Sequence, residues 1–194
     1  MALALSILLH PVFFPIFILL VYKWSYPQYH GSDQLDKLLW LSSLAAVLLP
    51  LAVTTLLWAK GNVSSLLMKE KKERRVPLLV TVFAYYLLFN LFEKMMPTYP
   101  LAKMYLGLAT GILLLIVLPG KGSMHMFGVG GILACLFAFK PLLYPNLIFI
   151  MIAWILLGGL LGVARLKLKS HTESELYTGF LLGFFPVGII YLLL

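Results

Sequence analysis

Charge is what this sequence has least of. Only 11% of its 194 residues are Asp, Glu, Lys or Arg, against about 25% in ordinary soluble domains. Acidic residues are the scarcer kind, with 7 Asp and Glu against 15 Lys and Arg. One cysteine is present, Cys135, inside an apolar run, so no intrachain disulfide forms and the redox compartment stays open. No low-complexity linker and no soluble-repeat period interrupts the chain. These absences exclude a disulfide scaffold, a repeat array and a string of soluble domains. What is left is apolar: 62% hydrophobic residues and a mean hydropathy of +0.99. A water-soluble fold cannot hide that much apolar surface, so the solvent is lipid.

A membrane-crossing helix needs about 20 mostly apolar residues. Seven stretches qualify, at roughly 3–22, 38–58, 77–92, 101–119, 125–139, 146–164 and 176–194. The third and fifth are short, so each is either a steep span or a helix partly inside the bundle. The fold class is therefore all-α, a polytopic transmembrane helix bundle of six or seven spans forming a single domain over 1–194. The first stretch lacks a basic flank and is too long for a signal peptide, which makes it a retained helix, kinked by Pro11 and Pro15. Residues 93–103, with two prolines, form a tight turn. In the polar segment 59–76, "SSLLMKEKKERR" has helix-forming composition that suits the membrane surface.

If the spans between them each cross once, three polar segments share one face: 59–76, "LPGKGSMHMFG" and "RLKLKSHTESE". Together they carry most of the +8 net charge, so an anionic partner is expected: a phosphate group or acidic membrane lipid headgroups, and no nucleic acid. Each cluster also has a plain reading. Lys and Arg flank cytoplasmic membrane edges in any case. His125 at the entry of the fifth span fits an amphipathic edge position. Around it, Gly120, Gly122 and Ser123 permit a tight turn whose N–H groups face an anion. Gly128, Gly130 and Gly131 permit close helix approach. His171 and Glu175 share a helical face, and a carboxylate there fixes a histidine ring and frees its second nitrogen for chemistry. Equally, Thr172 and Glu175 fit a capping box. Arg165 fits either a snorkelling anchor or a forked phosphate clamp.

The order Arg165, five residues, His171, three residues, Glu175, just before the last helix, resembles the third signature of the type 2 phosphatidic acid phosphatase superfamily, Arg-x5-His-x3-Asp. Ser123-Met124-His125 resembles its second, Ser-Gly-His, at the start of a helix. "KEKKERRVP" loosely resembles its first, Lys-x6-Arg-Pro, with Arg75 near Pro77. The resemblance covers residues 69 to 175. It departs from the family at four places, the first being Val76, which separates Arg75 from Pro77 where the signature has Arg-Pro. Glu175 replaces Asp, Met124 replaces Gly, and Met68 stands where the first signature has its lysine, for which Lys71 is the nearest substitute.

The resemblance implies an integral membrane lipid phosphatase that uses no cofactor and no metal. In that reading His171 is the nucleophile that becomes a phosphohistidine, Glu175 orients it, and His125 protonates the leaving group. Arg165, Ser123, the Met124 backbone N–H, Arg75, Arg74 and Lys71 form the phosphate cradle. The substrate is a lipid phosphate monoester or diphosphate. Two other readings stay open: a phospho-headgroup transferase of the same superfamily, and a non-catalytic transporter or scaffold. The scarcity of ionisable residues inside the spans argues against an ion path. Flanking charge places the site on the cytoplasmic face, whereas the resemblance implies the outer face of a bacterial inner membrane, and the balance falls to the latter.

Overall fold

The computed structural model describes residues 2–26, 31–64, 71–95, 101–139 and 145–194. Its architecture is a helical bundle, and the described residues contain no strand. In chain order the helices are α1 (Ala2–Leu8), α2 (Phe14–Ser25), α3 (Asp33–Ser43), α4 (Leu49–Ala59), α5 (Lys71–Met95), α6 (Leu101–Val117), α7 (Met124–Ala138), α8 (Pro145–Lys167) and α9 (Glu173–Leu193). A 3-10 turn (Pro11–Phe13) joins α1 to α2, and a π turn (Leu44–Leu48) joins α3 to α4.

Five helical stretches are long and apolar enough to cross a membrane: Ala4–Ser25, Asp33–Ala59, Lys71–Met95, Asn146–Lys167 and Glu173–Leu193. Their outward faces carry exposed Phe83, Leu87, Phe149, Leu156 and Leu192, an apolar exterior that suits an integral membrane protein and no aqueous one.

The expected stretches all recur as helices, but their lengths differ in an instructive way. The third was expected to be short, yet α5 has 25 residues. Its first turn contains the basic run from Lys71 to Arg75, so that part of the expected surface helix is instead the head of a span; 65–70 lie outside the described residues. Of the seven expected stretches the short ones are α6, with 17 residues, and α7, the fifth, with 15 as expected. At 1.5 Å per residue α7 reaches about 22 Å, less than the ~30 Å hydrocarbon core. It does not need more. Every residue from Phe127 to Leu136 is buried, so α7 is walled by protein rather than lipid and is apolar all round. Most of the expected turn at 93–103 also lies outside the described residues.

Close backbone contact between α7 and α9 sets the geometry of the site. A methyl group added at Gly183 would overlap the Phe127 carbonyl oxygen, and one at Gly130 would overlap that of Phe180. Small residues thus let the two backbones touch where larger ones would separate them. Gly128 does not serve this pairing; it faces Phe14 of α2. At the opposite end of the bundle Lys23 pairs with Asp36, tying α2 to α3.

Candidate functional site at one end of the bundle

Three polar segments, far apart in sequence, meet at one end. Ser123 N–H donates to the Glu175 carbonyl at 2.9 Å, joining the α6–α7 loop to the first turn of α9. Lys71 Nζ donates to the Leu118 carbonyl at 2.6 Å, joining the head of α5 to the same loop. A methyl at Gly179 would collide with Ser123 backbone atoms, so this seam is as tight as the helix contact beneath it.

The turn between α8 and α9 explains the spacing of its polar residues. Ser170 N–H reaches the Arg165 carbonyl at 3.2 Å and Lys169 N–H reaches that of Leu166 at 2.8 Å. These are the paired bonds of a Schellman C-cap. Its left-handed position is Lys169, with φ 49°, where glycine is the usual residue. We expect Lys169→Gly to raise stability by about 0.5–1 kcal/mol, seen as a rise of about 1–3 °C in thermal unfolding in detergent; an unchanged or lower midpoint would refute it.

Directly after that turn Thr172 is the N-cap of α9, and its Oγ1 accepts from Glu175 N–H at 3.3 Å. Glu175 Oε2 accepts from Thr172 N–H at 3.1 Å, which completes a capping box. The same Oε2 lies 2.9 Å from His171 Nδ1. The structural and the orienting role of Glu175 are therefore one arrangement rather than alternatives. A carboxylate only accepts, so Nδ1 carries a hydrogen and, in the neutral ring, Nε2 holds the free lone pair. The His171 side chain is 3% exposed. Burial is the largest influence on its pKa and holds it below the ordinary 6.5. The Glu175 bond and charge push the other way, and the charges of Arg165 and Arg74 lower it further.

Arg165 is the electrostatic hub. Its charge acts on His10, Arg74, His125 and His171, and its Nε is buried with no hydrogen-bond partner among the described residues. His125 in turn feels His171. Ser123 is fully buried, and its Oγ, at the N-cap of α7, makes no capping bond and meets no partner among the described residues. Next to it Met124 opens α7, where N–H groups lack intrahelical acceptors.

The basic run divides along its helix. Arg74 couples to Arg165, Glu175 and Glu73. Arg75, about 100° further round, is exposed. It lines a groove with Lys71, Arg74, Lys121, Gly122 and Met124 beside the cluster. Lys71 also shares that groove, although its ammonium is held by the Leu118 carbonyl. Of the residues expected in the cradle, then, Arg165, Ser123, Met124 and Arg74 gather near the histidines, while Arg75 and Lys71 form an outer basic rim.

Sequence reasoning missed the N-terminal segment. His10, in the break ahead of Pro11, sets its ring 5.5 Å from that of His125, edge to face. The Ser6 carbonyl lies 3.0 Å from His125 Nε2. A histidine inside an apolar run and next to a helix-breaking proline was the available signal for His10; a backbone carbonyl leaves none. Among the described residues no group of three or more His, Cys, Asp and Glu side chains is arranged to hold a metal ion. No family model matches the chain, nor does any curated protein or solved structure.

Proposed function

We propose that the protein is a membrane-embedded lipid phosphatase of the type 2 phosphatidic acid phosphatase kind, cleaving a lipid phosphate monoester or diphosphate by way of a phosphohistidine. The observation that carries the reading is Arg165: a guanidinium whose buried Nε has no partner among the described residues, acting on two histidines, one of them anchored by a carboxylate. Beside it, Lys71, Arg74, Arg75 and Lys121 line one groove, and no acidic side chain among the described residues lines it with them, a charge that an anion would balance.

The chemistry follows from phosphoryl transfer, which needs positive charge around three equatorial oxygens and groups in line on either side. His171 Nε2 donates its lone pair to phosphorus. The P–O bond to the leaving group breaks, and His125 gives that oxygen a proton. A water then attacks the phosphohistidine, His125 takes back a proton, and the P–N bond breaks to release phosphate. Arg165, Arg74, Ser123 Oγ and the Met124 N–H hold the phosphoryl oxygens. The location suits an amphipathic ester: its head meets the basic end of the bundle while its tail stays in lipid. Charges sit at this boundary because the bilayer centre costs each about 2.5–3.5 kcal/mol. We place the site on the outer face of a bacterial inner membrane; accessibility of an end-on tag or probe from either side of sealed vesicles tests that.

The test is a panel of 32P-labelled lipid phosphates incubated with purified protein in mixed micelles. Expected are release of phosphate and an acid-labile, base-stable label on His171. Transfer to an added alcohol in place of water marks a headgroup transferase. A protein that neither releases phosphate nor takes up label has some other function.

The pH profile carries a further expectation. Activity needs unprotonated His171, so its acid limb lies below pH 6.5 in the wild type. Glu175→Gln removes the influences that raise this pKa; the limb then moves to lower pH, and kcat falls about tenfold as the ring loses its fixed tautomer. A limb that moves to higher pH contradicts the assigned role.

A further inference from the structure

The N-terminal segment belongs to no signature of the resemblance, yet it meets the site more directly than the outer basic rim does. A carbonyl can only accept, so the contact of 3.0 Å to Ser6 O puts a hydrogen on His125 Nε2. In the neutral ring Nδ1 is then the nitrogen left to gain and lose a proton. The His10 and His125 rings pack edge to face. Its own Nδ1 accepts from Val12 N–H at 3.4 Å, at the N-cap of the 3-10 turn, so the backbone break ahead of Pro11 holds the His10 ring in place. Groups facing His125 from its surroundings are Arg165 of α8, His171 of the α8–α9 turn, and His10 with the Ser6 carbonyl of the N-terminal segment.

We propose that Ser6 and His10 are positioning elements for His125: the carbonyl selects the Nε2–H tautomer, and the His10 ring holds the imidazole so that Nδ1 serves the leaving group. This rests on the phosphatase reading for its kinetic consequence but not for the tautomer itself. The step assigned to His125 starts from its imidazolium form, with Nε2–H on the Ser6 carbonyl: the Nδ1 proton passes to the leaving oxygen as the P–O bond breaks, which leaves the neutral Nε2–H ring, and Nδ1 then takes a proton from the attacking water as the P–N bond breaks.

A residue that positions a general acid matters most where the leaving group is a poor one. An alkyl alcohol needs the proton, whereas p-nitrophenolate leaves without it. The experiment compares wild type, His10→Ala and His10→Phe on a dialkylglycerol phosphate and on p-nitrophenyl phosphate in the same micelles. For His10→Ala the expected loss of kcat on the alkyl ester is about tenfold or more, at least fivefold greater than on the aryl ester. His10→Phe keeps an aromatic edge and should restore the alkyl rate to within about threefold of wild type. Equal losses on both esters, or failure of phenylalanine to rescue, overturn the positioning role. The 15N spectrum of histidine-labelled protein reads the tautomer without turnover. A neutral His125 protonated at Nε2 in wild type, and a mixture of tautomers in His10→Ala, support the proposal; an Nδ1-protonated ring overturns it. A protein with the expected tautomers but no phosphate release retains the positioning contact and refutes the phosphatase reading alone.

Discussion

If His171 is the nucleophile as proposed, His171→Ala is expected to lower phosphate release by about four orders of magnitude or more, because no second step survives its loss. The fold should survive it. Glu175 keeps its bond to the Thr172 N–H, and Thr172 keeps its bond to the Glu175 N–H, so the capping box that starts α9 does not depend on the imidazole. The loss is therefore chemical, visible as an absent 32P label on a protein whose circular dichroism and elution volume match wild type. Release within tenfold of wild type would remove His171 from the reaction. The same result in an unfolded sample would say nothing of chemistry, which is why the two measurements belong together.

Arg165→Lys is expected to cost on the order of a hundredfold in kcat/KM, comparable to removing one donor from an oxyanion site. The substitution keeps a positive charge, so the field at His10, Arg74, His125 and His171 persists in sign. What it removes is the planar fork and the buried Nε, which meets no hydrogen-bond partner among the described residues. An ammonium cannot bridge two phosphoryl oxygens in fixed geometry. Lys167, two residues later and exposed, provides the comparison: Lys167→Gln should change kcat/KM by less than about twofold, since an exposed flanking charge is largely screened. If both variants behaved alike, Arg165 would be an ordinary membrane-edge anchor.

The tight seam at this end also bears on how the site is held. Ser123 N–H is bonded to the Glu175 carbonyl, and Glu175 in turn orients His171. One short stretch of α9 therefore fixes both the loop that presents Ser123 and His125 and the ring of His171. Gly179, one turn further along, keeps the two backbones in contact. The two histidines, 46 residues apart in the chain, are supported by rigid helix ends rather than by a mobile loop, an arrangement suited to in-line chemistry.

Much of this was legible in the linear chain. Hydropathy alone set the solvent and the all-α class, since helices satisfy every backbone group within their own segment and lipid offers no other partner. The order of apolar stretches set the helix order, and the Arg165–His171–Glu175 spacing marked the α8–α9 turn because capping and side-chain pairing are local, reaching only three to six residues. Helix length was less legible. The basic turn of α5 reads as surface while its backbone continues a span, and α7 is short because its walls are protein, which no single-segment pattern records. Packing alone decided that Arg74 is half-buried while Arg75 is exposed, that Lys71 is held by Leu118, and that His10 and the Ser6 carbonyl stand against His125. Those contacts join residues tens to more than a hundred positions apart; their geometry depends on how close glycines let α7 and α9 approach, and a distance of that kind exists only once the bundle has closed.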